Sequence, residues 1–272
     1  MLNLFIGIIA RIFSNSYLNV FQKILTGNGE KSSVVNFYTY FGLTVIGALF
    51  CIKSFVYTQE ALLFILIMGL LGALGNFFII KALSCGELST LAPINTYKPI
   101  IALIIGIFLL GEYPGINEIY GMILIILGTF ILIGHAVSPS KAYLYRFLAL
   151  LFSGTEAIFI KKVILLTNIE SAFLYWALAG LIFASFIVLK HTPKISAANI
   201  KSLFALIIMA AVMQYSTNYV FSKMNVAYAL ALFQLSAIVS VCLGVNIFKE
   251  NGLVRKLIAS LIMLTGAVII IL

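Results

Sequence analysis

Apolar stretches of about twenty residues follow one another along nearly the whole 272-residue chain, interrupted only by short groups of charged residues, Gly, Pro or Asn. A helix rises about 1.5 Å per residue, so each stretch is long enough to cross a hydrocarbon core roughly 30 Å thick. The composition agrees: 63% of residues are hydrophobic and 9% charged, against roughly 25% charged in an ordinary soluble domain. A water-soluble globule is excluded. A membrane barrel is excluded too, because it needs short segments of alternating polarity rather than long continuous apolar runs. The expected class is an all-α polytopic membrane protein.

Breaks in the apolar pattern place ten spans at about 3–25, 32–52, 60–81, 87–110, 115–134, 142–166, 170–189, 200–222, 226–248 and 253–272. Met1 to Ala10 carries no basic region and no small-residue cleavage site before Arg11, so it reads as part of an uncleaved first span. The connections are turn-length, which confines any activity to the helices. All eight acidic residues are Glu, and His135 and His191 are the only imidazoles. No metal or other cofactor is expected from that inventory, and Cys51, Cys85 and Cys242 read as small apolar fillers. The net charge of +9 is dispersed in ones and twos, which suits anionic lipid headgroups and not a nucleic acid.

The two halves of the chain repeat. An offset of 139 residues brings Ser153 onto Ser14 and Lys162 onto Lys23; one of 142 brings Asn218 onto Asn76 and Lys223 onto Lys81; one of 138 brings Glu250 onto Glu112 and Gly266 onto Gly128. Two five-helix repeats, 1–137 and 138–272, follow. Because five is odd, the second repeat enters the membrane inverted relative to the first, an architecture in which one repeat can rock against the other around a central site.

The run from Ala82 through Gly86-Glu87-Leu88-Ser89 to Pro93, continuing by Lys98-Pro99 to Leu110-Gly111-Glu112 with Gly121 and Gly128, resembles the pattern of EamA-type drug/metabolite transporters. The second repeat resembles it through Phe248-Lys249-Glu250 and Gly266-Ala267-Val268, with Lys249 in place of the family's Gly and no proline in span nine. The resemblance implies a ten-helix secondary carrier of a small organic solute, often an exporter, working by alternating access in the inner (plasma) membrane with both termini in the cytoplasm. The basic residues conflict with that orientation: Lys31, Lys141, Arg146, Lys190, Lys194, Lys201, Lys249, Arg255 and Lys256 flank the odd-numbered loops, and only Lys53, Lys161, Lys162 and Lys223 the even ones.

An ionisable residue at bilayer depth is costly, which makes each one a functional candidate. Glu156 falls mid-span in span six and reads either as a structural, hydrogen-bonded carboxyl or as a site for a coupling proton or a substrate ammonium. Lys98, mid-span in span four, is a substrate ligand or a counter-ion to Glu156. Lys161 and Lys162 are near enough to an interface to snorkel. Arg11, Asn15 and Asn19, at i, i+4 and i+8, make one polar stripe that either packs on another helix or lines an aqueous path. Asn76, Gln214 and Asn218 read the same way. Gln234 and Ser236 in span nine match the depth of Lys98, and Tyr97 is a candidate wall residue. Tyr40, Trp176 and other aromatics are candidate walls or packing residues, while Gly69, Gly72 and Gly75 are assigned to helix packing. Pro93 and Pro99 each interrupt the helix and make span four a candidate gating hinge; the absence of proline in span nine makes the two repeats mechanically unequal.

No catalytic motif is present, so an enzyme and a channel stand as lesser alternatives to a carrier. With Lys98 and Arg11 opposed by Glu156, the expected substrate is an amino-acid-like zwitterion or an organic anion, and cationic drug efflux is the alternative among carriers.

Overall fold

The computed structural model describes residues 2–101, 104–105, 115–133, 141–189 and 192–269, and among these every regular element is helical. In chain order they are α1 (Leu2–Gly27), α2 (Ser32–Cys51), α3 (Leu62–Leu83), α4 (Leu88–Leu91), α5 (Ile116–Ile133), α6 (Lys141–Leu166), α7 (Ile169–Val188), α8 (Ile200–Lys223), α9 (Val226–Phe233), α10 (Ser236–Phe248) and α11 (Leu253–Ile269), with short 3₁₀ turns between some of them. The unbroken elements fall within a few residues of the spans expected from hydropathy. Six stretches among the described residues are long and apolar enough to cross a membrane by themselves: Leu2–Gly27, Ser32–Cys51, Gln59–Leu83, Ile169–Val188, Ala197–Lys223 and Ala229–Phe248. Two of the other spans fall short for identifiable reasons: helix α6 carries Lys141, Arg146, Glu156, Lys161 and Lys162 along its length, and the fourth span is broken near its start.

The bundle exposes large apolar side chains and buries its polar ones among an apolar core. Phe50 and Leu189 are 77% and 74% exposed, whereas Gln22, Asn36 and Asn218 are fully buried. That is the distribution a hydrocarbon solvent selects, since a polar group facing lipid has no partner.

Pairing of the helices reflects the repetition in the sequence. Helix α1 runs antiparallel to α8, with Arg11 at Thr217 and Gly7 against Tyr219, and α3 runs antiparallel to α6, with Gly72 at Glu156 and Gly75 at Ser153. Helix α2 packs on α7, and α5 on α11. Exchanging the halves, so that α1 takes the place of α6 and α3 that of α8, maps this set of pairs onto itself. The α5–α11 pair shows why glycine recurs at equivalent positions: a Cβ on Gly128 would lie 2.4 Å from Met263, and one on Gly266 would lie 2.5 Å from the Gly121 carbonyl. Small residues let the backbones approach, which is how helices gain contact when lipid supplies no hydrophobic drive. Each half also ties its third helix to its second through an asparagine. Asn76 donates to Asn36 at 2.7 Å, and Asn218 donates to the Ile169 carbonyl at 3.2 Å.

Span four is not one helix. It opens with the single turn of α4, tightens to a 3₁₀ segment over Pro93–Tyr97, and resumes as helix from Lys98. The tightening frees the Leu91 carbonyl, which accepts Arg146 Nε at 2.9 Å. Span nine is broken at the matching depth, between α9 and α10, without any proline. There Gln234 N–H bonds to Ala231 instead of Leu230, and the Gln234 side-chain amide donates to the released Leu230 carbonyl at 2.6 Å. Both repeats thus interrupt the equivalent span: side-chain amides and hydroxyls, including Ser16 on the Ser236 carbonyl at 3.0 Å, partner the freed carbonyls in span nine, where no proline stands.

The two ends of the bundle are named here by α1: the Leu2 end and the Gly27 end. Two residues counted as loop charges at the Gly27 end are buried: Arg146, 2% exposed, and Lys256, 2% exposed and paired with Glu87 at 2.5 Å. Lys161 does not snorkel; its ammonium donates to the Phe221 and Met224 carbonyls that end α8, the terminus where a cation is favoured.

Candidate functional site

Both broken spans lie against one central cavity, which has about 90 Å³ of room for water-sized spheres and is walled by α1, α2, α3, α6, α7, α8 and α9 together with Lys98. Helical spacing brings the stripe of α1 to it: Arg11, Asn15 and Asn19 all line it. Asn76 comes from α3, Glu156 from α6 and Gln214 from α8. The structure thus collects Arg11, Asn15, Asn19, Asn76, Lys98, Glu156 and Gln214 around one space.

Four other sequence candidates lie outside that lining. Tyr97 is half-buried among Ile125, Ala231 and Met263. Asn218 is fully buried and accepts Gln214 Nε2 at 2.9 Å. Gln234 caps its own helix, and Ser236 accepts Asn15 Nδ2 at 3.1 Å. These residues hold the walls. Pro93 and Pro99 are both buried, Pro93 at the start of the 3₁₀ segment.

Glu156 is 7% exposed and accepts a hydrogen bond from the Trp176 indole N–H. Trp176 stacks obliquely on Tyr40, with ring centroids 4.9 Å apart. This trio needs Gly72, because a Cβ there would lie 2.4 Å from Glu156 Oε1, 2.8 Å from Trp176 Nε1 and 3.0 Å from the Tyr40 hydroxyl. It needs Gly180 as well, where a Cβ would lie 2.2 Å from the Tyr40 ring. Gly72, assigned from the sequence to packing, therefore shapes the cavity. Its place in a Gly-x-x-Gly-x-x-Gly run gave no sign of that.

The cationic side of the cavity is built differently. Arg11 donates from Nε to Thr217 Oγ1 at 2.7 Å and lays its guanidinium over Phe233, 4.9 Å from the ring centroid. Among the described residues no ion pair joins Lys98 to Glu156 or Arg11 to any carboxylate. Arg11 Nη1, the Tyr40 hydroxyl and Ser153 Oγ, all on cavity-lining residues, are buried without a hydrogen-bond partner. A buried polar atom left unpaired costs about 1–3 kcal/mol; three of the eight found among the described residues are on the lining of this cavity. Thr217 carried no signal in the sequence, and Ser153 only its match to Ser14 in the repeat, since single hydroxyls are common in apolar helices.

A helical bundle with an apolar exterior and a polar cavity enclosed between two similar halves is the architecture of a membrane transporter. The EamA-like transporter family matches residues 3–134 and again 140–272, and the chain belongs to that family, within the drug/metabolite transporter superfamily. A solved structure titled only "Crystal structure of protein" is similar in fold, with a TM-score of 0.71 over 96% of both chains at 15% identity. No curated protein sequence matches the chain.

Proposed function

We propose that this membrane transporter is a secondary carrier of a small carboxylate-bearing metabolite, best an amino-acid-like zwitterion, which it exports by alternating access of two inverted five-helix repeats, 1–137 and 138–272. The observation that carries this reading is the convergence of Lys98, Arg11 and Glu156, charges of both signs, on one small cavity. A carboxylate placed by Lys98 and the free Arg11 Nη1, with an ammonium at Glu156, satisfies both signs at once. The Tyr40 hydroxyl and the Asn15, Asn19 and Gln214 amides supply the neutral hydrogen bonds. A buried water needs roughly 10–15 Å³ by the same measure of volume, so about 90 Å³ suits a solute of a few heavy atoms. Glu156 is the candidate site for a coupling proton. We place the carrier in the cell's inner (plasma) membrane with both termini cytoplasmic; burial of Arg146 and Lys256 removes two of the charges that argued against that orientation.

The test is competition for flux, with thermal stabilisation alongside, comparing amino acids, organic anions and quaternary cations on wild type and Lys98→Met in proteoliposomes. Zwitterions or anions should compete and lose roughly tenfold in potency on Lys98→Met, the usual scale of one charge-assisted hydrogen bond. Efflux of cationic drugs is the second reading, favoured by the Tyr40–Trp176 pair beside Glu156. Strongest competition by cations, with Lys98→Met indifferent, would establish it instead.

A further inference from the structure

The polar stripe of α1 does not end at the cavity. The next residue in the i+4 series after Asn19 is Lys23, about 6 Å farther along the helix toward the Gly27 end. Its ammonium donates to the Gly86 carbonyl at 2.8 Å and to Glu250 Oε1 at 2.7 Å. Glu250 also accepts the backbone N–H groups of Leu88 at 2.8 Å and Ser89 at 2.7 Å, and the Ser89 hydroxyl. Lys256 donates to Ser89 Oγ at 2.6 Å while paired with Glu87. One carboxylate from the turn between α10 and α11 thus holds α1 and the start of α4. Gly244 permits the approach, since a Cβ there would lie 2.6 Å from Glu250 Oε2 and 2.9 Å from Ser89 N.

Beyond this clasp lies a second cavity of about 640 Å³, open at the Gly27 end and lined by Lys23, Asn28, Cys85, Glu87 and Phe248 among others. Lys23 is in its wall, and Asn19, one turn earlier, is in the wall of the central cavity. The clasp stands between the two.

We propose that Lys23, Glu250 and Ser89 form a latch that shuts the passage between this vestibule and the central cavity, and that parting it opens the cavity to the Gly27 end. Its role in transport rests on the carrier reading above; the shutting itself does not. The chemistry suits a reversible closure. Four donors converge on one carboxylate, so its contacts are lost together when α1 and α4 draw away, giving two discrete arrangements. Once parted, the ammonium and carboxylate face the vestibule, where water replaces the lost partners. An ion pair buried on every side would have no such replacement.

The experiment uses the full chain in lipid nanodiscs, with Cys51, Cys85 and Cys242 replaced by Ala and a single reporter, Ala157→Cys, in the cavity wall. A charged methanethiosulfonate reports access. Glu250→Gln and, separately, Lys23→Met should each raise the labelling rate roughly tenfold, the scale expected for one lost charge-assisted hydrogen bond. A second reporter in the packed core, Ala184→Cys, should stay unlabelled. An unchanged rate at Ala157→Cys in both variants overturns the latch, and so does a parallel rise at Ala184→Cys, which would mean general loosening. If no solute is transported yet labelling responds as described, the latch stands and the carrier reading falls.

Discussion

Gly69, Gly72 and Gly75 lie on one face of α3, three residues apart, and replacing each by alanine should give three different results. In an exposed helix the change gains about 1 kcal/mol of helix propensity. At Gly75 the added Cβ meets Ser153 N at 3.3 Å and Cβ at 3.4 Å, tight by only a few tenths of an ångström, so the crowding and the propensity gain nearly cancel and Gly75→Ala should be close to neutral. At Gly69 the Cβ would fall 2.3 Å from Ala179 Cβ and 2.8 Å from its backbone carbon. A backbone cannot swing aside, and overpacking costs about 1–3 kcal/mol, so after the propensity gain Gly69→Ala should be destabilising by up to about 2 kcal/mol net. At Gly72 the obstacles are the ends of side chains, Glu156 Oε1 and Trp176 Nε1, which can move. Stability should change little while the Glu156–Trp176 hydrogen bond is broken and transport falls. Thermal unfolding in detergent orders the three variants, and flux in proteoliposomes separates Gly72 from the others. Equal melting temperatures for Gly69→Ala and Gly75→Ala would refute the packing geometry, and wild-type flux in Gly72→Ala would refute a role for the carboxyl's position.

Glu156→Gln keeps the shape and the acceptor for Trp176 but cannot titrate, so it should flatten the pH dependence of flux between about pH 5.5 and 8; a variant profile parallel to wild type removes Glu156 from coupling. Lys249 is exposed and adopts φ +56°, ψ +35° at the end of α10. The left-handed conformation costs a non-glycine residue about 1–2 kcal/mol, partly offset by glycine's greater entropy when unfolded, so Lys249→Gly should stabilise by roughly 0.5–1 kcal/mol, read as a higher melting temperature. Burial pushes the Glu250 carboxyl up, but hydrogen bonds from Lys23 and Ser89 and the Lys23 charge outweigh it and hold it below the ordinary carboxylate value. Its contribution is therefore complete above about pH 4.3, the ordinary glutamate value, and is lost only as pH falls through the lower folded value. The ratio of cavity labelling in Glu250→Gln to that in wild type, in which the thiolate's own pH dependence cancels, should be constant from pH 8 to about pH 5 and fall toward one below pH 4; a fall already near pH 6 would contradict the arrangement around Glu250.

The amino-acid sequence by itself determined what depends on local pattern. Span length follows from counting apolar residues against the hydrocarbon thickness, and the repetition shows in the order of Ser14 and Ser153, Asn76 and Asn218, Gly128 and Gly266. The stripe of Arg11, Asn15 and Asn19 follows from the period of the helix. Tertiary structure alone decided which face of each helix meets which neighbour. It carried Asn218 and Ser236 into the walls while Gln214 and Asn15 reached the cavity, and it made Gly72 a shaper of the site and Gly69 a packing contact. It broke span nine without a proline, because the freed carbonyls found partners in Gln234 and in Ser16 of α1, 220 residues away in the chain. It also joined Lys23 to Glu250 across 227 residues. Spacing along one helix sets the angle between its own side chains, but the rotation of that helix in the bundle, and hence the partner each polar group meets, is settled by packing among elements far apart in the chain.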